Sequence, residues 1–472
     1  MNAIHILRTY FGTIVLTGLV TTVCFISCTD SEFLDTIPDK ALVVPQTLED
    51  YQAILDRDQF MNGDQHTGVT PYLGEAGSND YTPLTFLVNL FDNQDVNIFT
   101  WNSRIFERDG SSAGWNYGYR IIFYANSILD GLEVNASGFS ETEQYKYIKG
   151  GALFHRAHAL FQLSQIFAPH FDANQASSLQ GLPLRLSSDI NENLTRSTLK
   201  ETYDQIIKDL KNSLTLLPAS SNFNTRPTLP AAYALLARVF LVMHRYDEAL
   251  LYADSCLRRE NFLMDYNTVP FGEDIQFPFG DYRVNPEILF FSSMERNSAF
   301  LLRATSVNEE LFDLYAVDDL RRNIYFKPED WGGVGFYGSY TGYFEYFTGL
   351  ATDEQYLIKA ECLARKGDLN SALSVLNQFK QKRYDQTSFA PFNADGVEEV
   401  LQEILLERRK ELLYRGLRWS DLRRLNMEGA EIKLQRTFKD KTYTLLPNDP
   451  KYVYPIPPEV IAFNPDMPQN PR

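Results

Sequence analysis

Leu229–Leu257, LPAAYALLARVFLVMHRYDEALLYADSCL, decides the fold. Tyr233, Leu236, Ala237, Phe240 and Leu241 stand at i, i+3, i+4, i+7 and i+8, the apolar stripe of an α-helix. After a short turn at His244–Asp247, the spacing returns in Ala249, Ala253, Cys256 and Leu257, so the stretch predicts two antiparallel helices. The small side chains of Ala237 and Ala249 let the two backbones approach. The same unit recurs 123 positions later in Tyr356–Phe379, YLIKAECLARKGDLNSALSVLNQF. Tyr233 aligns with Tyr356, Ala237 with Ala360, and Ala249–Leu250 with Ala372–Leu373. Asp247 aligns with Asn370, both good helix N-cap types. This is the tetratricopeptide pattern. One such unit cannot bury its own apolar face, which predicts an all-α stack of helical pairs.

Composition narrows the function. The 472 residues admit two or three domains. Apolar residues make up an ordinary 44%, but 27 Tyr and 33 Phe exceed what the helices need, so some rings are expected at the surface. The formal charge of −17 argues against nucleic acid, whose phosphates require clustered Lys and Arg. Of four cysteines, Cys24 and Cys28 lie near the N-terminus, and Cys256 and Cys362 fall at core positions of the two units. Buried free thiols are expected rather than a disulfide framework. No paired Cys or His spacing accompanies either core thiol, and His155 and His158, at an i, i+3 spacing that a metal can use, have no carboxylate or third His nearby in sequence. No H-E-x-x-H occurs, and neither an enzyme nor a cofactor is expected.

Along the chain, residues 1–27 read as an export signal, with Arg8 the only Lys or Arg before Cys28 and an apolar run from Tyr10 to Ile26. Phe25-Ile26-Ser27-Cys28 resembles a lipobox and predicts lipidation at Cys28, hence a lipid anchor; an uncleaved membrane anchor is the alternative. Periodicity predicts helices over Gln46–Leu55, Ala113–Leu132, Gln144–Phe167, Ser197–Leu217, Glu309–Tyr315 and Val397–Tyr414, the last stopped by Gly416. Thr198 and Glu201 form a capping-box pair, and Trp115 reads as core. Asn62–Asn102 reads as ordered loop. The tail from Pro447 carries eight of 22 prolines and is expected to wrap without a helix. Trp331–Gly349, WGGVGFYGSYTGYFEYFTG, holds eight aromatics, six glycines and one charge. Its Gly333-x-Gly335-x-x-Gly338 lacks the βαβ context of a dinucleotide site. The rings either pack on the core or form a stacking platform.

These residues resemble the SusD/RagB family of outer-membrane nutrient-binding lipoproteins along nearly the whole chain. The match includes Cys28 followed by Phe33-Leu34-Asp35, Trp115 through Asn126 and Leu129, Arg156-Ala157, Phe161 and Pro183-Leu184. It continues through Tyr203, Ile207, Asp209-Leu210, Leu217-Pro218, Leu235-Leu236-Ala237-Arg238 and Tyr356-Leu357-Ile358 with Ala360-Glu361. The C-terminal signature is the most specific: Glu407-Arg408, Glu411-Leu412, Gly416, Arg418-Trp419 and Asp421-Leu422, then Pro455-Ile456-Pro457, Asn464-Pro465 and Gln469-Asn470-Pro471. Arg415 departs from it, since an acidic residue often precedes the glycine, and this puts one local ion pair in doubt. The charged signature residues read as structural, because charges on a packed helix must be paired.

The resemblance implies four tetratricopeptide-like pairs in a superhelical scaffold with long ligand-binding loops. It divides the chain into a signal peptide at 1–27, an N-terminal region at 28–225 and a C-terminal region at 226–472, the latter two packed as one globular unit. It also implies a lipid-anchored, surface-exposed outer-membrane protein that delivers oligosaccharide to a SusC-like TonB-dependent transporter. A sugar site needs exposed aromatic faces beside hydrogen-bonding groups. Trp101, Trp331, Tyr337 and Tyr340 are the candidate platforms, with Tyr72, Asn79 and Asp80 as the polar rim. Oligopeptide capture is the nearest alternative and is favoured by a cleft with few exposed tryptophans. A structural helical adaptor at the membrane is a second alternative, and a hydrolase a third.

Overall fold

Thr228 caps the helix that begins at Leu229, its side chain accepting the Ala231 N–H, with Pro230 in the first turn. The computed structural model describes residues 45–64, 66–84, 91–135, 142–192, 195–297, 305–330 and 332–472. The export signal, the lipobox with Cys28, and Trp331 lie outside the described residues. Thr47–Arg472 forms one compact unit.

In chain order the main helices are α1 (Leu48–Leu55), α2 (Ala113–Val134), α3 (Glu143–Phe167), α4 (Leu199–Ser213), α5 (Leu229–Val242) and α6 (Tyr246–Leu257). They continue with α7 (Thr352–Arg365), α8 (Leu369–Lys380), α9 (Val397–Glu411), α10 (Arg418–Met427) and α11 (Pro458–Phe463). Successive helices pack on one another: α2 on α3, α3 on α4, α5 on α6, α6 on α7, and α7 on both α8 and α9. The fold is the expected all-α helical stack, with five two-stranded ribbons in its connections among the described residues.

The two predicted pairs form, but their caps differ from the alignment. Arg245 and Asp368 hold the N-cap positions, not Asp247 and Asn370. Asp368 accepts the Ser371 N–H, whereas Asp247 sits in the first turn of α6, where a negative charge favours the helix dipole. The turn is one residue tighter than read, because His244 adopts φ +57°. α5 is buried far beyond one stripe, with every residue from Ala234 to Val242 covered. α3 is the central spine, buried without a break from Gly150 to Phe167. His155 and His158 therefore pack against Phe290 at 5.4 Å, and burial lowers their pKa values to about 4 and about 3, leaving neutral rings. Cys256 and Cys362 are buried and free, and burial pushes both thiols up.

Two expectations for irregular segments are corrected. Asn62–Asn102 contains helices at Leu73–Gly77 and Asn93–Phe99 and a strand at Tyr81–Pro83. Asp92 closes a capping box with Asp95, a short-range signal that starts the second of these helices. The proline-rich tail does contain a helix, α11, because Pro458 sits at its first position, where no N–H is required.

The charged signature residues are indeed paired. Arg321, fully buried, bonds Asp319, Glu407 and Glu411 at 2.8, 2.5 and 3.0 Å. Arg383 joins Glu411 at 2.8 Å and Glu287 at 3.1 Å. Burial alone would raise the Glu407 carboxyl, but Arg321, Lys410 and Lys380 hold it well below the ordinary range. Arg415 pairs with Asp353 at 2.6 Å, so the departure from the signature has found a partner on α7. These ion pairs fasten α9 and the turn after it to the loops around residues 264–353.

Candidate functional site

The predicted site residues divide into two groups, and the structure buries most of both. Tyr72 precedes the Leu73–Gly77 helix and is 5% exposed, its hydroxyl accepting a hydrogen bond from Gln94 at 3.2 Å. Asp80 is 1% exposed and meets Arg409 at 3.2 Å and Arg418 at 3.8 Å. Asn79, half-buried, accepts from the same Arg418 at 3.3 Å. Trp101 is buried at 1% and donates its indole N–H to the Gly77 carbonyl at 2.9 Å. The Arg436 guanidinium lies over the rings of Trp101, Tyr81 and Phe99 at 4.7, 4.9 and 4.4 Å, and donates to the carbonyls of Ala76, Ser78 and Phe99. These rings wall a buried cation; they are not solvent-facing platforms.

The second group follows the same logic. Tyr340, 1% exposed, hydrogen-bonds Tyr266 at 3.0 Å and the Glu287 carboxylate, with Arg415 4.2 Å above its ring. Tyr337 is 7% exposed and donates to Glu329 at 2.7 Å. The glycines of this stretch serve close packing more than exposure. A Cβ on Gly338 would stand 2.4 Å from the Tyr325 ring, and one on Gly349 2.0 Å from the Phe290 carbonyl. Val334–Phe336 pairs with Phe326–Pro328 as a ribbon, with no helix opening after it, so the glycine pattern here has a structural explanation.

An aromatic face does reach solvent beside these residues. Phe344 is 42% exposed and stands edge-on to the half-buried Phe277, with centroids 5.0 Å apart and planes at 81°. Phe277 in turn lies 6.4 Å from Tyr337, so the buried tyrosine backs the exposed pair. Tyr343, half-buried, meets Tyr282 edge-on at 6.4 Å, and Phe271 is 48% exposed. Polar groups flank the rings: Arg283 pairs with Asp281 at 2.8 Å, and the Lys327 ammonium sits 5.5 Å over Tyr337. Apolar faces with hydrogen-bonding neighbours can stack on the C–H faces of a sugar. Sequence reasoning missed Phe277 and Phe344 because it sought Trp and Tyr. The signal was present in Phe277-Pro278-Phe279-Gly280 and in Phe344 after Gly342, which has φ +73°.

The comparisons agree with this architecture. A family model described as "Starch-binding associating with outer membrane" matches residues 32–241, and the SusD family model matches residues 353–472. A SusD-like protein of Bacteroides ovatus is 25% identical over 351 residues, 71% of this chain; the chain spans 57% of that relative's length. A SusD superfamily structure from Bacteroides thetaiotaomicron superposes with a TM-score of 0.72 at 23% identity, covering 90% of this chain and 100% of the other. A SusD-like carbohydrate binding protein from Bacteroides vulgatus gives 0.67 at 18% identity, with coverage of 90% and 98%. The helical stack, its paired signature charges and these matches define a SusD-type scaffold. The chain belongs to the SusD/RagB family.

Proposed function

We propose that this protein captures oligosaccharides at the cell surface and passes them to a SusC-like TonB-dependent outer-membrane transporter, without turning them over. The observation that carries the reading is the half-exposed aromatic face of Phe277, Tyr343 and Phe344 with Asp281 and Arg283 beside it. It supplies what a pyranose needs, within a family whose model is described as starch-binding and associating with the outer membrane. Acylation of Cys28 holds the protein at the membrane in this reading. Among the described residues no helix is long and apolar enough to cross one.

Oligopeptide capture is the second reading. Trp101, Trp115 and Trp419 are all buried, so no tryptophan among the described residues offers a stacking face. Calorimetric titration with matched panels of neutral oligosaccharides and oligopeptides separates the two. Saturable binding of glycans only supports the proposal, whereas saturable binding of peptides only replaces it with the second reading.

A further inference from the structure

A separate cleft opens between the start of α2, the loop after the Gln180–Pro183 strand, and α11. It has a volume of about 200 Å3, and it shares no residue with the aromatic face. Tyr119 presents a half-buried ring there, with Pro183 and Val460 as apolar walls. The Tyr119 hydroxyl donates to the Pro183 carbonyl at 2.9 Å, which fixes the ring in place. Trp115 stands 4.7 Å from Tyr119 and is 4% exposed. Unlike the indoles of Trp101 and Trp419, which donate to Gly77 and Tyr452, its N–H has no acceptor among the described residues.

The rim carries charge and an acceptor. One Arg185 nitrogen donates to the Asp189 carbonyl, and no other acceptor holds this guanidinium among the described residues. No carboxylate there pairs with it, although the chain carries a net charge of −17. Arg321 and Arg424 in the core, by contrast, are each paired with carboxylates. The Asn464 amide donates to Val460 at 3.0 Å, which leaves its oxygen open. A small cleft thus brings together a ring face, an N–H donor, an amide acceptor and a guanidinium fork without a counterion. A planar fork matches a carboxylate through two parallel hydrogen bonds.

We propose that the cleft between Trp115 and Arg185 binds a pyranose that bears a carboxylate, a uronic acid unit. The carboxylate meets Arg185, the C–H face lies on Tyr119, and hydroxyls satisfy the Trp115 N–H and the Asn464 oxygen. The assignment stands independently of the aromatic face.

The test is calorimetric titration of the full chain with methyl glucuronide and methyl glucoside, with thermal melts alongside. The glucuronide should bind at least tenfold more tightly. Arg185→Gln should bring the two affinities within twofold of each other at an unchanged melting temperature. Trp115→Phe, which keeps a ring but removes the N–H, should weaken the glucuronide severalfold. Phe344→Ala should leave glucuronide binding intact. Equal affinities in the parent protein, a preference that survives Arg185→Gln, or no saturable binding of either sugar overturns the proposal. Loss of glucuronide binding in Phe344→Ala would move the ligand to the aromatic face and overturn it as well.

Discussion

Glu361 on α7 and Arg424 on α10 form a two-armed ion pair, 2.5 and 2.9 Å long, with both side chains fully buried. Asp421 holds the remaining arm of Arg424 at 2.7 Å and also binds Arg408 at 2.9 Å. Burial alone would raise the Asp421 carboxyl, but the two arginines lower it to about 2. The helix of the repeat and the helix of the C-terminal signature are thus joined by charges out of contact with water.

Breaking that pair from one side leaves Arg424 buried with the Asp421 carboxylate alone, which it shares with Arg408. Glu361→Gln should therefore cost about 3–5 kcal/mol in urea unfolding. Replacing both partners, Glu361→Leu with Arg424→Met, should cost less than the single change. A Glu361→Gln loss under about 1 kcal/mol would mean that the pair does not hold α7 to α10.

Glu295 gives stability a pH dependence. It is 5% exposed, its Oε2 has no hydrogen-bond partner, and burial raises its carboxyl from 4.5 to about 8. Between those values the folded chain binds a proton that the unfolded chain has released, so stability falls as pH rises through this window. The share of one group is at most ~1.4 kcal/mol per pH unit. Glu295→Gln should flatten that share and be the more stable form at pH 8. Glu75, raised to about 8 by burial and then by Asp80, contributes a second share that this variant leaves in place. Parallel slopes for the parent and the variant would contradict the assignment.

The organising repeat was legible because its evidence is local: apolar spacing, small residues at the contact and a second copy of the pattern. The capping box at Thr198 and Glu201 was legible for the same reason. The aromatic residues were harder to place. Trp101 and Tyr340 sit in loops rich in glycine and polar residues, which reads as exposure. Their rings instead wall Arg436 and Arg415, partners 335 and 75 positions away, and no local pattern announces such a pairing. Asp80, expected at a polar rim, instead neutralises Arg409 on α9 and Arg418 at the start of α10, again at long range.

Trp101 therefore belongs to stability. Trp101→Ala should cost about 3–5 kcal/mol, as large core truncations do, and leave ligand affinity per folded molecule unchanged. Urea melts paired with titration check both halves, and an undiminished stability would return the ring to the surface.

Ala372 on α8 is fully buried among Ala360, Ala364, Leu376 and Ile404. Ala372→Trp should destabilise by ~1–3 kcal/mol or more, because a packed helix interface cannot take the ring without shifting backbone. Thermal melts read this directly, and an unchanged midpoint would contradict the packing of α7 and α8 on α9.

The measurement closest to the central claim is oligosaccharide titration of Phe344→Ala and of Phe277→Ala, each beside a thermal melt. Each ring should contribute about tenfold in affinity, ~1.4 kcal/mol. Phe344→Ala should barely move the melting temperature, since its ring is 42% exposed. A tenfold weakening with intact stability is the predicted result. Unchanged affinity in both variants, for a glycan that the parent protein binds, would contradict the assignment of this face.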